Sequence, residues 1–207
     1  MIYVFLGMQG SGKGTQANFL SKHLGLEHIS LGEHFRKQIS NKTPLGMLAH
    51  KYISKGNLVP DVEVFSVMNK IFLQMDKGYV FDGFPRTLPQ AWYLSNVCPI
   101  SQVIYLKLED CVARERMMAR RICSNCKKDY NLLVTPPKEP NKCDKCEGKV
   151  IRRADDTDEL IQNRLDLFHN ETEPLTDFYV KSNLLTIINA VGDIHDIFAD
   201  IKAKLEV

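Results

Sequence analysis

A glycine-rich stretch near the N-terminus carries the first recognisable chemistry. Gly7, Met8, Gln9, Gly10, Ser11, Gly12, Lys13, Gly14 and Thr15 follow the apolar run Ile2, Tyr3, Val4, Phe5 and Leu6. Glycines at 7 and 12 with lysine at 13 fit the frame of a phosphate-binding loop. In such a loop a strand ends, glycines let successive N–H groups turn inward, and a helix begins with its positive end facing the same point. Lys13 would then reach terminal phosphates as a point charge. The general pattern wants Ser or Thr directly after the lysine, whereas here Gly14 intervenes and Thr15 carries the hydroxyl. The competing reading is a glycine-rich turn with a solvated lysine; the strand-to-helix setting favours the phosphate loop.

Cysteines form the second group. Cys123 and Cys126 make one Cys-x-x-Cys pair, Cys143 and Cys146 another, with sixteen residues between them. Four thiolates give zinc a closed tetrahedral shell with no open catalytic position. The intervening segment is polar and too small to fold on hydrophobic burial, so a metal staple makes physical sense. Disulfides are the alternative, disfavoured in a cytosolic chain, and four cysteines by themselves do not separate zinc from iron. Cys98 and Cys111 fall outside this scheme and read as small buried hydrophobes.

Arginine is the third signal. Nine arginines stand against eighteen lysines, and six of them, Arg114, Arg116, Arg120, Arg121, Arg152 and Arg153, crowd into one region. Planar, forked donors suit phosphate, although salt bridges along a helix face would account for Arg114. Asp82 ends the apolar run at 78–82, where an acid beside a phosphate loop would order Mg²⁺ or its waters. Asp82 followed by Gly83 also reads as a turn, and position alone leaves both readings open.

These groups need a scaffold. Helical periodicity is expected at 13–24, 62–75, 110–121, from 158 onward, 174–182 and 194–205, with helical hairpin material at 31–60 broken at Pro44 and Gly56. Strands are expected at 2–6, 27–30, 78–82, 103–106 and 184–188. Such alternation implies an α/β fold with a parallel sheet covered on both faces. The chain has 207 residues, 44% hydrophobic and 25% charged, with a formal net charge of +2. That balance gives no whole-molecule field for nucleic acid or an anionic membrane. Neither a signal peptide nor a stretch of membrane-spanning length is visible, so a cytoplasmic enzyme is expected.

Taken in order, GSGKGT, HISLGEHFR, GNLVPD, DGFPRT with Gln90, MARRIC, RRADD and NRL form a set that resembles the adenylate kinases, in the long form with a zinc-bearing lid. Each is weak alone; their order and spacing are specific, and they span nearly the whole chain. The resemblance implies a P-loop nucleoside monophosphate kinase fold with a five-stranded parallel sheet. It divides the chain into a core (1–29, 60–119 and 157–207), an acceptor-binding insert (30–59) and a lid (120–156). It implies transfer of the terminal phosphoryl group of ATP to AMP, giving two ADP, with Mg²⁺ accompanying ATP and zinc in the lid, in a monomer serving nucleotide homeostasis and purine salvage. By similarity Gly10, Ser11, Gly12, Lys13, Gly14 and Thr15 hold the ATP phosphates, with Arg120, Asp129, Tyr130 and Gly192 contacting ATP. AMP falls to Leu31, Arg36, Asn57, Leu58, Val59, Gly83, Phe84, Pro85, Arg86 and Gln90. Arg153 and Arg164 bridge the phosphates, and Asp82 and Glu33 order water around Mg²⁺. Lys13, Arg86, Arg120, Arg153 and Arg164 make up the catalytic set.

Three departures stand out: Met8 and Gln9 where the family usually has prolines, Leu31 where it has threonine, and Glu33 where it has aspartate. Losing the threonine hydroxyl bears on the choice of acceptor more than on the reaction. Two other readings follow from the same residues: a P-loop kinase of another small acceptor, and a zinc-ribbon nucleic-acid-binding ATPase using Lys127, Lys128, Lys142, Lys145 and Lys149. Sparse aromatic residues near the ribbon and the low net charge weigh against the second.

Overall fold

The computed structural model describes residues 1–153 and 156–207. Ala154 and Asp155, inside the RRADD stretch and the expected lid, lie outside the described residues.

Strand β1 (Ile2–Leu6) is buried along its whole length, as a continuous apolar run must be when both faces of a sheet are covered. It sits in the middle of a parallel sheet with β2 (Glu27–Ser30), β3 (Tyr79–Asp82), β4 (Gln102–Lys107) and β8 (Leu185–Asn189), in the order β2-β3-β1-β4-β8. The chain leaves β1 towards one side and later returns on the other. This reversal opens a crevice at the carboxyl end of β1, where α/β folds bind ligands.

Helix α1 (Lys13–Leu24) has the bounds expected from the sequence, with Gly12 at its N-cap and Gly25 at its C-cap, both left-handed. The hairpin is α2 (Leu31–Ser40), capped by the Ser30 hydroxyl, and α3 (Pro44–Ile53), capped by Thr43. Pro44, read as a break, opens α3, where its missing N–H costs nothing. Helix α4 (Asp61–Phe72) stops short of the expected end, and α5 (Leu88–Val97), capped by Thr87, is an element the sequence reading lacked.

Helix α6 (Asp110–Met118) also ends early, because Arg120 already belongs to strand β5 (Arg120–Cys123). With β6 (Asp129–Asn131) and β7 (Val150–Arg152) it forms an antiparallel sheet ordered β6-β5-β7, which had not been read from the sequence. Helix α7 (Asp158–Leu167) continues through a π-helical segment (Phe168–Thr172) towards α8 (Leu175–Lys181), and α9 (Ile194–Leu205) closes the chain. One apolar core joins the large sheet to its helices, while a separate cluster of Cys123, Tyr130, Cys143 and Val150 serves the small sheet. No helix among the described residues is long and apolar enough to cross a membrane.

Candidate active site

The loop after β1 curls as its glycines allow. Gly7, Gly10 and Gly12 have φ of 142°, 89° and 90°, a region closed to most side chains. Ser11 Oγ and Gln9 Oε1 are buried with no hydrogen-bond partner among the described residues, polar atoms at the mouth of a helix N-terminus. Gly14 explains the departure after the lysine: a Cβ there would stand 3.3 Å from Asp82 Oδ2, so a larger residue would crowd the acid. Lys13 Nζ donates to Met8 O at 2.8 Å. Burial pushes Lys13 down to about 8; Asp82 opposes the shift, while Arg86 and Arg120 add to it. Asp82 therefore faces the phosphate loop, and Gly83, at φ 77°, takes the turn. Its carboxylate also accepts from the Ser30 hydroxyl at 3.3 Å, and the same hydroxyl caps the Glu33 N–H at the start of α2.

The arginines converge from separate elements onto one acid that the sequence reading had not singled out. Asp156 is fully buried. Its carboxylate accepts two bonds from Arg120 of β5, at 3.0 and 2.7 Å, and one from Arg164 of α7 at 2.9 Å. Arg153 stands 3.9 Å from Asp156 and 3.8 Å from Asp129 of β6, and Arg36 of α2 reaches Asp129 at 4.0 Å. Arg86 Nε donates to Gly83 O at 2.9 Å. Burial, reinforced by neighbouring arginines, holds Arg36, Arg86 and Arg120 below the usual guanidinium range. So dense a set of forked cations between a phosphate loop and a pocket is built for anions.

That pocket lies between the hairpin and the sheet. Leu31, Phe35, Ile53, Val59 and Val64 give it apolar walls, while Asn57, Arg86 and Gln90 bring polar groups; Leu58, Gly32 and Gly83 complete it. The structure thus brings Leu31, Asn57, Leu58, Val59, Gly83, Arg86 and Gln90 to one pocket. Phe84 instead turns into the core against Phe81 and Tyr93, just before a cis Phe84–Pro85 peptide. Tyr130 is buried beneath the small sheet, its hydroxyl donating to Cys143 Sγ at 3.3 Å and accepting from the Asp144 N–H at 2.8 Å. Gly192, at φ 123°, lies between β8 and α9. Arg116 of α6, given no role from the sequence, donates to Ala190 O at 2.9 Å and Gly10 O at 3.3 Å. It ties that loop to the phosphate loop.

The four cysteines come together as their spacing requires. Their Sγ atoms all lie within 4.8 Å of one another, with Cys123 to Cys146 and Cys126 to Cys143 each at 3.5 Å. Bonds of about 2.3 Å from zinc to sulfur imply tetrahedral edges just under ~4 Å, so the donor set fits such an ion. Both knuckles share one backbone pattern. Cys123 N–H donates to Lys128 O and Cys143 N–H to Gly148 O, each at 2.9 Å, while Lys127 and Glu147 N–H groups donate back to Cys123 O and Cys143 O. Gly148 is needed here, since a Cβ would meet Asn125 Cβ at 2.9 Å and Cys123 Sγ at 3.1 Å. Hydrogen bonds, with that from Tyr130 foremost, overcome burial and bring Cys143 down to about 6, towards the thiolate a metal needs.

A P-loop at the sheet's switch point, an adjoining acceptor pocket and an arginine cluster between them define a nucleoside monophosphate kinase. The profile of the family described as adenylate kinase matches residues 5–184. An adenylate kinase of Geobacillus sp. (strain WCH70) is 41% identical over 99% of this chain and 98% of its own length. That of Bacillus subtilis (strain 168) is 40% identical over the same shares, and that of Clostridium perfringens (strain SM101 / Type A) 42% identical over 97% and 96%. The chain belongs to the adenylate kinase family.

Proposed function

We propose that this chain transfers the terminal phosphoryl group of ATP reversibly to AMP, giving two ADP, and so maintains adenine nucleotide balance and purine salvage in the cytoplasm as a monomer. The convergence of Arg120, Arg153 and Arg164 between Lys13 and the pocket carried by Arg86 and Gln90 is what supports the reading. An oxygen of the AMP phosphate forms a bond to the γ-phosphorus as the bond to the bridging oxygen of the departing ADP breaks. The attacking oxygen is already anionic near neutral pH, so no general base is required. Charge spreads over the equatorial oxygens in a loose transition state, where Lys13, Arg86, Arg120, Arg153 and Arg164 stabilise it.

Gly10, Ser11, Gly12, Gly14 and Thr15 hold the ATP phosphates, with Asp129 and Gly192 on the donor side and Tyr130, its ring buried, available there only through its main chain. Leu31, Arg36, Asn57, Leu58, Val59, Gly83, Pro85 and Gln90 serve AMP, and Phe84, whose ring is in the core, would do so only through its main chain. Asp82 and Glu33 would hold the waters of Mg²⁺, which neutralises phosphate charge when bound. Residues 120–156 act as a lid that excludes water as a competing acceptor, and 30–59 as the acceptor insert. Zinc on Cys123, Cys126, Cys143 and Cys146 keeps the lid folded. Leu31 supports a second reading, a kinase with another preferred acceptor, because the pocket offers no hydroxyl at that position. Mixing the protein with ATP, Mg²⁺ and each nucleoside monophosphate separates the two: AMP is expected to give the fastest ADP formation, and faster turnover with CMP, UMP or GMP would replace AMP as the acceptor. Nucleic-acid binding is not expected; tight binding with a steep salt dependence would contradict this.

A further inference from the structure

Gln90 is 2% exposed and sits on the floor of the acceptor pocket in the first turn of α5. Its side-chain amide is held on both ends. Nε2 donates to Asp61 Oδ1 at 2.6 Å, and Oε1 accepts from the Arg86 N–H at 2.8 Å. A main-chain N–H can only donate and an ionised carboxylate can only accept, so these partners dictate which end of the amide is which. The Thr87 hydroxyl donates to the same carboxylate, at 3.0 Å to Oδ2, and helps to hold it in place.

The orientation has a consequence for the base. With one N–H and one lone pair engaged, Gln90 retains one N–H on Nε2 and one lone pair on Oε1. Adenine offers an acceptor at N1 and a donor on its 6-amino group, the complementary pair. A 6-oxopurine offers the reverse, a donor at N1 and an acceptor at O6. Matching it requires the amide to turn over, which would set Oε1 against the Asp61 carboxylate and Nε2 against the Arg86 N–H. Of the neighbouring side chains, Leu31 has no polar atom, and Asn57 Oδ1 already accepts from Asn163 at 3.1 Å.

We propose that Asp61 is a positioning residue that fixes the Gln90 amide and thereby selects a 6-aminopurine over a 6-oxopurine nucleotide as phosphoryl acceptor. The inference rests on the reading of the pocket as the AMP site. It makes acceptor choice depend on a side chain at the first position of α4 that need not touch the nucleotide itself.

The test compares kcat/KM for AMP and for inosine monophosphate, which differs from AMP only in the 6-oxo group and the proton at N1. D61N fills the same space but carries an amide that can turn to serve either end of Gln90, which removes the stronger, charged constraint and leaves only the Arg86 N–H. It is expected to lower the AMP-to-IMP ratio by about tenfold or more, as sites that read a base through buried hydrogen bonds do when a partner is relaxed, with KM for ATP unchanged. D61A is expected to do the same, with a raised KM for AMP. A purely structural role would lower both acceptors together and leave the ratio unchanged; that result in D61N, which preserves packing, would overturn the proposal. Wild-type protein inactive towards AMP would instead overturn the reading of the pocket, and the inference with it.

Discussion

The large sheet and the small one are stabilised by different physics. Around β1, β3 and β4, residues such as Val4, Phe81 and Ile104 are wholly buried, and apolar area removed from water holds the fold. Around β5, β6 and β7 the buried apolar set is Cys123, Tyr130, Cys143 and Val150, half of it cysteine. The same stretch carries Lys127, Asn141 and Glu147 at positive φ, three of the six such non-glycine residues among those described. A unit with so little core and so much unfavourable backbone needs a staple. The contrast is between a platform held by burial and a small sheet whose cluster is built around four sulfurs.

The most severe way to break this contrast is to withdraw the staple. Chelation, or replacing Cys143 by Ser, is expected to abolish amide protection across 120–153 while β1 and β4 keep theirs, because structural zinc sites contribute on the order of 10 kcal/mol to folding. Unchanged protection and melting in metal-free protein would refute the staple. Next comes the seam between the two regions. D156A leaves Arg120 and Arg164 without their buried carboxylate and should cost about 3–5 kcal/mol in denaturant melts; a loss below about 1 kcal/mol would show the cluster to be loosely held.

On the platform itself, K13M should cut kcat by about 10²–10³-fold with melting little changed. Near-normal turnover would contradict its role. A smaller effect follows from the lowered value of Lys13. Its ammonium loses its proton as pH rises through about 8, so kcat/KM for ATP should fall above that pH. Bound phosphate favours the charged form and should move the fall in kcat to higher pH. For stability the sign is reversed: between about 8 and 10.5 the unfolded chain binds the extra proton, so this group makes the fold more stable as pH rises. K13M should remove both pH effects.

The sequence disclosed what is carried by short, local patterns. The phosphate loop, both cysteine knuckles and the central strands with their following helices were readable because glycine spacing, Cys-x-x-Cys and buried apolar runs are local signatures. Helix α5 was missed because Pro85 and Pro89 look like loop punctuation, although a proline in a helix's first turn is well tolerated. Strands of three and four residues in the small sheet are too short for a period, and Arg120 and Arg121 suit a helix as readily as a strand, so α6 was drawn too long. Asp156 and Asp61 close the RRADD and GNLVPD stretches, but nothing in those stretches assigns either acid a role. Their weight comes from which arginines and which amide the fold brings to them, and only tertiary structure supplies that.

On the proposed function, platform and lid enclose one transfer between two nucleotides. Supplying ATP labelled at the γ-phosphoryl group, with AMP and Mg²⁺, tests it most directly. The label should appear in the β-position of ADP, two ADP forming for each ATP consumed, and only when AMP is present. Label released as inorganic phosphate at a rate indifferent to AMP would contradict the account.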